Sequence, residues 1–238
     1  MINENALLPG DVLAQLPGAP AVMSHAVSVE SDRWERALTS RGLPPAQGKL
    51  AGIGRISVTR KEVFDFGDRT PTVENAFQLF YYSLAWGLGT RAPRLHQRLD
   101  GLAAHQEKAG QLLVSAWTLV QDGAPIRDAY GTLTTDRGAG RIPWFGPAFS
   151  TKFLYFAQGS TLTPRHVILD QIVSRNLRRD AWPQAPTAGW WPETYERYCG
   201  LLGRWADQAG ERLDDPRPVR ADEIELALFR RHRYSALG

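Results

Sequence analysis

From Thr72 to the C-terminus, apolar residues return at intervals of three and four, the period that lays one apolar face along an α-helix. Phe77, Phe80, Tyr81 and Leu84 open the series behind Thr72 and Asn75, which suit a helix start, and Gly87 and Gly89 close it. The same period predicts helices over 93–105, 108–121, 126–133, 147–156, 170–179, 191–210 and 221–231. Pro147 falls at a first helical position, where its missing N–H costs nothing. The N-terminal part is less regular. Ser31–Ser40 reads as a short helix with Trp34, Ala37 and Leu38 on one face, between Pro- and Gly-rich stretches. Alternation over Ile53–Asp68 predicts a short β-hairpin at 53–68, closed by Gly67 and Asp68. The expected fold is mainly all-α with one small N-terminal β-hairpin. Residues 1–70 form an extension packing on a helical core, 71–238.

Composition narrows the function classes. No apolar run approaches the roughly 18 residues that span a bilayer, and Met1–Gly10 lacks the basic cluster of a signal peptide. A single cysteine, Cys199, excludes an internal disulfide or a Cys-rich metal site and fits a reducing cytoplasm. The five histidines show no ligand spacing, so no side-chain metal set is expected. A net charge of +3 permits a polyanionic partner without demanding one. Eight tryptophans suit a core, and stacking on extruded bases is another use of such residues.

The informative stretch runs from Tyr130 to Arg179. A helix ending near Leu133 is followed by a tight apolar turn, Ile142-Pro143-Trp144-Phe145-Gly146, that feeds directly into the next helix. A helix start carries unpaired N–H groups and the positive end of the dipole, so it can hold a phosphate without side-chain charge. Downstream, Val167-Ile168-Leu169 delivers Asp170 to the start of another helix. There the dipole favours an ionised carboxylate, which could stabilise positive charge developing on a sugar ring.

These two segments resemble helix-hairpin-helix DNA glycosylases. Ile142-Pro143-Trp144-Phe145-Gly146 is similar to their Leu-Pro-Gly-Val-Gly hairpin, and Val167–Leu177 is similar to their catalytic-aspartate segment. The run Gly146–Ala157 further resembles a bacterial group with the 8-oxoguanine glycosylase fold. The resemblance spans about 72–231 and is specific over 140–180. It implies a hairpin that binds the DNA backbone through Trp144, Phe145, Gly146 and Ala148, with Asp170 as catalytic carboxylate. It also implies a monovalent cation held by hairpin carbonyls. Two positions depart from the pattern. Trp144 stands where the first hairpin glycine belongs, and Ala148 where bifunctional members carry a catalytic lysine. Lys152 lies one helical turn beyond Ala148, and its separation from Asp170 matches that found in some bifunctional enzymes.

Each feature has a bland counterpart. Asp170 could be a structural N-cap, and the catalytic reading requires extended backbone before it and a carboxylate opening into a cleft. Lys152, among Phe149, Phe153, Leu154, Tyr155 and Phe156, could be a snorkelling surface residue. Tyr81, Tyr82, Trp86 and Phe229 are candidates for a base pocket, although aromatics at helical spacing usually belong to a core. The run Arg230-Arg231-His232-Arg233 could track phosphates or be a solvated tail.

The resemblance therefore implies a monomeric enzyme that flips a damaged or modified base out of duplex DNA. Its substrate would be an oxidised purine such as 8-oxoguanine, cleaved by water or by the Lys152 amine with lyase activity. Two rivals stay open. One is a catalytically silent DNA-binding protein. The other is an N-glycosidase acting on a free modified nucleotide, in keeping with relatives found in phage-defence gene neighbourhoods.

Overall fold

In the computed structural model, which describes residues 1–234, with side chains to Arg231, the chain is mainly helical. Twelve helices among the described residues surround one small antiparallel sheet. The element that organises them is α5 (Val73–Leu88). Thr72 caps it by accepting from Asn75 N–H at 3.2 Å, and every residue from Ala76 to Trp86 is buried. A helix apolar on all sides belongs at the centre of a core.

The sheet corrects the expected hairpin at 53–68. Strand β2 (Arg55–Thr59) pairs with a distant upstream strand, β1 (Ala26–Glu30), in the register Ala26↔Thr59 to Glu30↔Arg55. Helix α3 (Ser31–Thr39) and a 3-10 turn (Gly48–Ala51) lie between the strands. What read as a second strand is α4 (Arg60–Gly67). The sequence holds the reason. Thr59 and Glu62 form a capping box, each side chain bonding the other's backbone N–H. Val63, Phe64 and Phe66 then follow on a helical turn. In so short an apolar run, periodicity alone does not separate helix from strand.

Residues 1–70 are built into the core. Trp34, Phe64 and Phe66 share one continuous apolar cluster with α5 and with the C-terminal helices. Two short helices, α1 (Gly10–Leu13) and α2 (Ala19–Met23), pack against the last helix, α12 (Ala221–Tyr234). The remaining elements are α6 (Leu95–Ala103), α7 (Gln106–Gln121), α8 (Ile126–Leu133), α9 (Pro147–Ala157), α10 (Gln171–Leu177) and α11 (Pro192–Arg212). They match the predicted helices with boundary shifts of a few residues. Helix α9 packs on α5 and α4, and α10 packs on α12.

The approach of α4 to α9 needs a glycine. A Cβ at Gly67 would collide with the Phe156 carbonyl oxygen, which is backbone and cannot rotate away. Gly67→Ala should therefore cost about 3 kcal/mol, as overpacking does, read as a lowered denaturant midpoint at unchanged slope.

Candidate active site

Asp170 sits at the end of a stretch, 159–170, that contains neither helix nor strand. Its own backbone is extended (φ −132°, ψ −179°). Three buried side chains hold the residues before it. Tyr195 donates to the Val167 carbonyl at 3.1 Å and Tyr198 to the Ile168 carbonyl at 2.7 Å. Thr151 Oγ1 accepts from Leu169 N–H at 3.2 Å and lies 3.0 Å from the Leu169 carbonyl. Burying extended backbone away from a sheet requires such partners. Burial also pushes the Tyr195 and Tyr198 hydroxyls well above their ordinary range, so they stay protonated donors.

The Asp170 carboxylate is divided between two tasks. Oδ1 accepts from Ile172 N–H at 2.9 Å and Val173 N–H at 3.1 Å, which caps α10. Oδ2 faces Lys152 Nζ at 3.6 Å. Asp170 is thus an N-cap and also opens into a cleft, so the two readings of the residue are compatible.

Lys152 is buried on α9, and its amine also approaches the Ala148 carbonyl at 3.4 Å. It is not a snorkelling surface residue. Its stem passes over Gly87 of α5, where a Cβ would come within 2.9 Å of Lys152 Cδ. Lys152 and Asp170 line one cavity of about 480 Å³ together with Trp86, Phe229, Ile168 and residues 26–28 of β1. That volume lies in the usual range for small-molecule sites.

The aromatic candidates divide. Trp86 and Phe229 line the cavity. Tyr81 and Tyr82 do not. Tyr81 is packed against Phe77 and Phe80, and Tyr82 stacks on Phe66 with its hydroxyl donating to the Gln47 carbonyl at 2.7 Å. On a helix buried all round, adjacent aromatics point into different parts of the core, so spacing alone could not choose among them.

The turn 142–146 forms a separate groove. Phe145 is buried against Phe80 and Phe149, while Trp144 is 52% exposed. Trp144 has φ +63°, the left-handed region that glycine normally fills. The departure at this position changes the side chain and keeps a backbone conformation accessible to glycine. Gly146 precedes α9 without a side-chain cap, leaving that helix start open. Ala148 lines this groove and not the cavity that holds Lys152. Arg94 lies over the Trp144 ring at 5.8 Å and Arg98 over the Phe149 ring at 4.5 Å. Burial and the neighbouring Arg94 charge lower the Arg98 pKa. The hairpin carbonyls have the oxygen chemistry that a hard cation takes. However, Arg94 and Arg98 line the groove and no carboxylate does, which favours an anion. Among the described residues, no cluster of His, Cys, Asp and Glu could hold a metal ion, and no helix is long and apolar enough to cross a membrane.

The basic run at the C-terminus has a structural use where it is described. Arg231 bridges Asp11 at 2.8 Å and also Asp180, tying α12 to α1 and to the end of α10. The His232 and Arg233 side chains lie outside the described residues.

A family model described as "Putative 8-oxoguanine DNA glycosylase OGG-like protein" matches residues 20–229. The chain belongs to this OGG-like family. The match begins within the N-terminal part, 1–70, which also supplies one wall of the cavity through β1. No curated protein and no solved structure matched. The family name places the chain among DNA glycosylase-like proteins, for which DNA is the expected substrate.

Sequence reasoning missed the polar floor of the OGG-like cavity. Arg60 and Glu225 both line it, and both are almost fully buried. Arg60 Nη1 donates to the Tyr155 hydroxyl at 3.0 Å, and Tyr155 donates to Asp222 Oδ2 at 2.7 Å. Arg220 closes the network on Asp222 at 2.7 Å. Burial pushes the Arg60 pKa down, but the charges of Glu225 and Asp222 and the contact with Tyr155 outweigh it and hold it above its ordinary value. Burial raises the Glu225 carboxyl to about 7, against the opposing pull of Arg60 and with help from the negative charges of Asp170 and Asp222. The local signal for Arg60 is its place at the start of α4, directly after the Thr59 cap.

Two outcomes follow. The folded pKa of Glu225 exceeds its ordinary 4.5, so its contribution to stability is complete below pH 4.5 and is lost as pH rises through about 7. Denaturant midpoints should fall from pH 5 to pH 8 in the wild type relative to Glu225→Gln. Parallel curves would refute the raised value. Trp144→Gly should gain about 1 kcal/mol by releasing left-handed strain, seen as a higher midpoint.

Proposed function

We propose that the protein excises a damaged base from DNA, and that an oxidised purine such as 8-oxoguanine is its substrate. The observation that carries this reading is the Lys152–Asp170 pair, 3.6 Å apart at the wall of an aromatic-lined cavity. The groove at 142–146 lies at the start of the same helix that carries Lys152.

The turn and α9 act as a helix-hairpin-helix clamp. The Ala148 N–H at the start of α9, with Arg94 and Arg98, holds a phosphate of the duplex without reading sequence. The target nucleotide leaves the stack, at a cost of a few kcal/mol, and its base enters the cavity beside Trp86 and Phe229. Asp170 then stabilises the positive charge that builds on the sugar as the glycosidic bond lengthens. Because Ile172 and Val173 already fix one of its oxygens, the carboxylate needs no reorganisation during the reaction.

Lys152 is the nucleophile in this scheme. Its ammonium first gives up a proton to solvent, so that Asp170, whose Oδ2 lies beside it, stays ionised to face the charge on the sugar. The free amine forms a bond to C1′ as the C1′–N bond breaks, and the electron pair and a proton leave with the base. Opening of the sugar ring gives a Schiff base. Removal of a C2′ proton then expels the 3′ phosphate by β-elimination.

Duplexes carrying 8-oxoguanine, uracil or an alkylated purine, incubated with and without borohydride, test the scheme. Borohydride should trap a covalent adduct on the 8-oxoguanine duplex, and Lys152→Ala should abolish it. Asp170→Asn should slow base release about 100- to 1,000-fold while duplex binding persists. Base release undiminished in Asp170→Asn would sink the role of the carboxylate. An adduct that survives Lys152→Ala would move the nucleophile elsewhere.

A further inference from the structure

Left-handed backbone outside glycine collects at one place in the molecule. Among the described residues, Ala92 (φ +40°), Arg94 (φ +57°) and Trp144 (φ +63°) are the non-glycine residues of positive φ. Ala92 and Arg94 belong to the turn 89–94 between α5 and α6, and Trp144 to the turn before α9. The two turns meet where Arg94 lies over the Trp144 ring at 5.8 Å, close enough for the ring to attract the cation. Strain of this kind persists only where surrounding contacts enforce it, and it gathers at functional sites. The turn around Trp144 is held from both sides, with the Pro143 carbonyl against Gly101 of α6 and the Phe145 carbonyl against Gly140.

The strained position carries an indole that the core does not use. Six of the eight tryptophans are buried, whereas Trp144 and Trp191 are 52% and 58% exposed. Trp191 stands before α11 in ordinary extended backbone (φ −75°) and does not line the groove. Trp144 lines that groove, of about 330 Å³, with Arg94 and Arg98 and with no carboxylate. An exposed ring beside a basic groove suits a nucleic-acid strand, whose phosphates meet the cations while a base stacks on the ring. A base inside a duplex has both faces covered by its neighbours, so the indole can meet only a base that is unpaired or unstacked.

We propose that Trp144, backed by Arg94, is a stacking platform for an unpaired base of DNA whose phosphate lies in the groove beside Arg98. The platform rests on the reading of this groove as a DNA site. It gives the turn a preference for locally unpaired DNA, which phosphate contacts alone do not provide. Stacking neutralises no phosphate, so it adds affinity without steepening the dependence on salt. Because every base has a stacking face, the platform is indifferent to sequence and leaves the choice of excised base to the cavity.

Two labelled DNAs test the platform, a fully paired duplex and the same duplex with one extra unpaired base. Their binding to the intact protein is measured by fluorescence anisotropy over a range of salt. The wild type should bind the second about fivefold more tightly or better. Trp144→Gly should lose about tenfold in affinity for it and little for the first, at an unchanged salt slope, although the substitution relieves strain. Trp144→Phe should retain most of the preference, and Trp191→Ala should bind as the wild type does. Arg98→Gln should weaken both DNAs and lower the slope by about one. If Trp144→Gly does not fold, Trp144→Asn, which also tolerates left-handed backbone, takes its place. Equal wild-type affinity for the two DNAs, a Trp144→Gly loss that is absent or the same on both, no rescue by Trp144→Phe, or a matching loss in Trp191→Ala overturns the proposal. A slope unchanged in Arg98→Gln removes the phosphate from the groove and overturns it as well. Release of 8-oxoguanine from a paired duplex is measured alongside. Preference for the unpaired base with no release upholds the platform and overturns the excision reading. Release without that preference does the reverse.

Discussion

The geometry of the site depends on how the peptide groups of three consecutive residues are held. Residues 167–169 run extended through the interior with no sheet to satisfy them. Thr151 from α9, with Tyr195 and Tyr198 from α11, supplies the partners. An extended segment buried without such bonds would be costly at every peptide group. Satisfied in this way, it has one placement, and Asp170 at its end has one position. Thr151 adjoins Lys152 on α9, so the contact that positions the carboxylate also ties it to the helix carrying the amine. Asp170 and Lys152 are thereby fixed relative to each other by a neighbour of one of them.

A second constraint comes from small residues at helix crossings. Gly87 lets the Lys152 stem cross α5, and Gly101 lets the Pro143 backbone approach α6. The first shapes the cavity and the second seats the turn at 142–146. Together they keep the groove and the cavity on one rigid support, with α9 shared between them. Their contents differ in charge. The groove carries Arg94 and Arg98 without a carboxylate, while the cavity sets Lys152 and Arg60 against Asp170 and Glu225. A surface arranged in this way suits a polyanion outside and a polar but nearly neutral guest inside.

The legibility of the sequence varied with the range of the interaction. Helices were readable because their apolar period is local, and α5 and α11 lie within a few residues of expectation. The strands were not, since β2 finds its partner on the far side of α3 and nothing near Arg55 names that partner. Capping chemistry was readable in principle. Thr59 and Glu62 announce α4, but the alternating residues around them drew the strand reading. In the site, Asp170 and Lys152 were visible through residue type and spacing. Tyr81 and Tyr82 were drawn in by the same spacing, although burial assigns them to the core.

By itself, the sequence determined the helical class, the turn leading into α9, and the carboxylate at the start of α10, because each rests on contacts within a few residues. Tertiary structure decided which residues share a cavity. It brought Lys152 within 3.6 Å of Asp170 while Ala148 went to the groove. It also chose Trp86 and Phe229 over Tyr81 and Tyr82, and joined Arg60 of α4 to Glu225 of α12. Those pairings depend on how helices far apart in sequence cross, and crossing is set by side-chain volume and by where a glycine permits close approach. No local period carries that information.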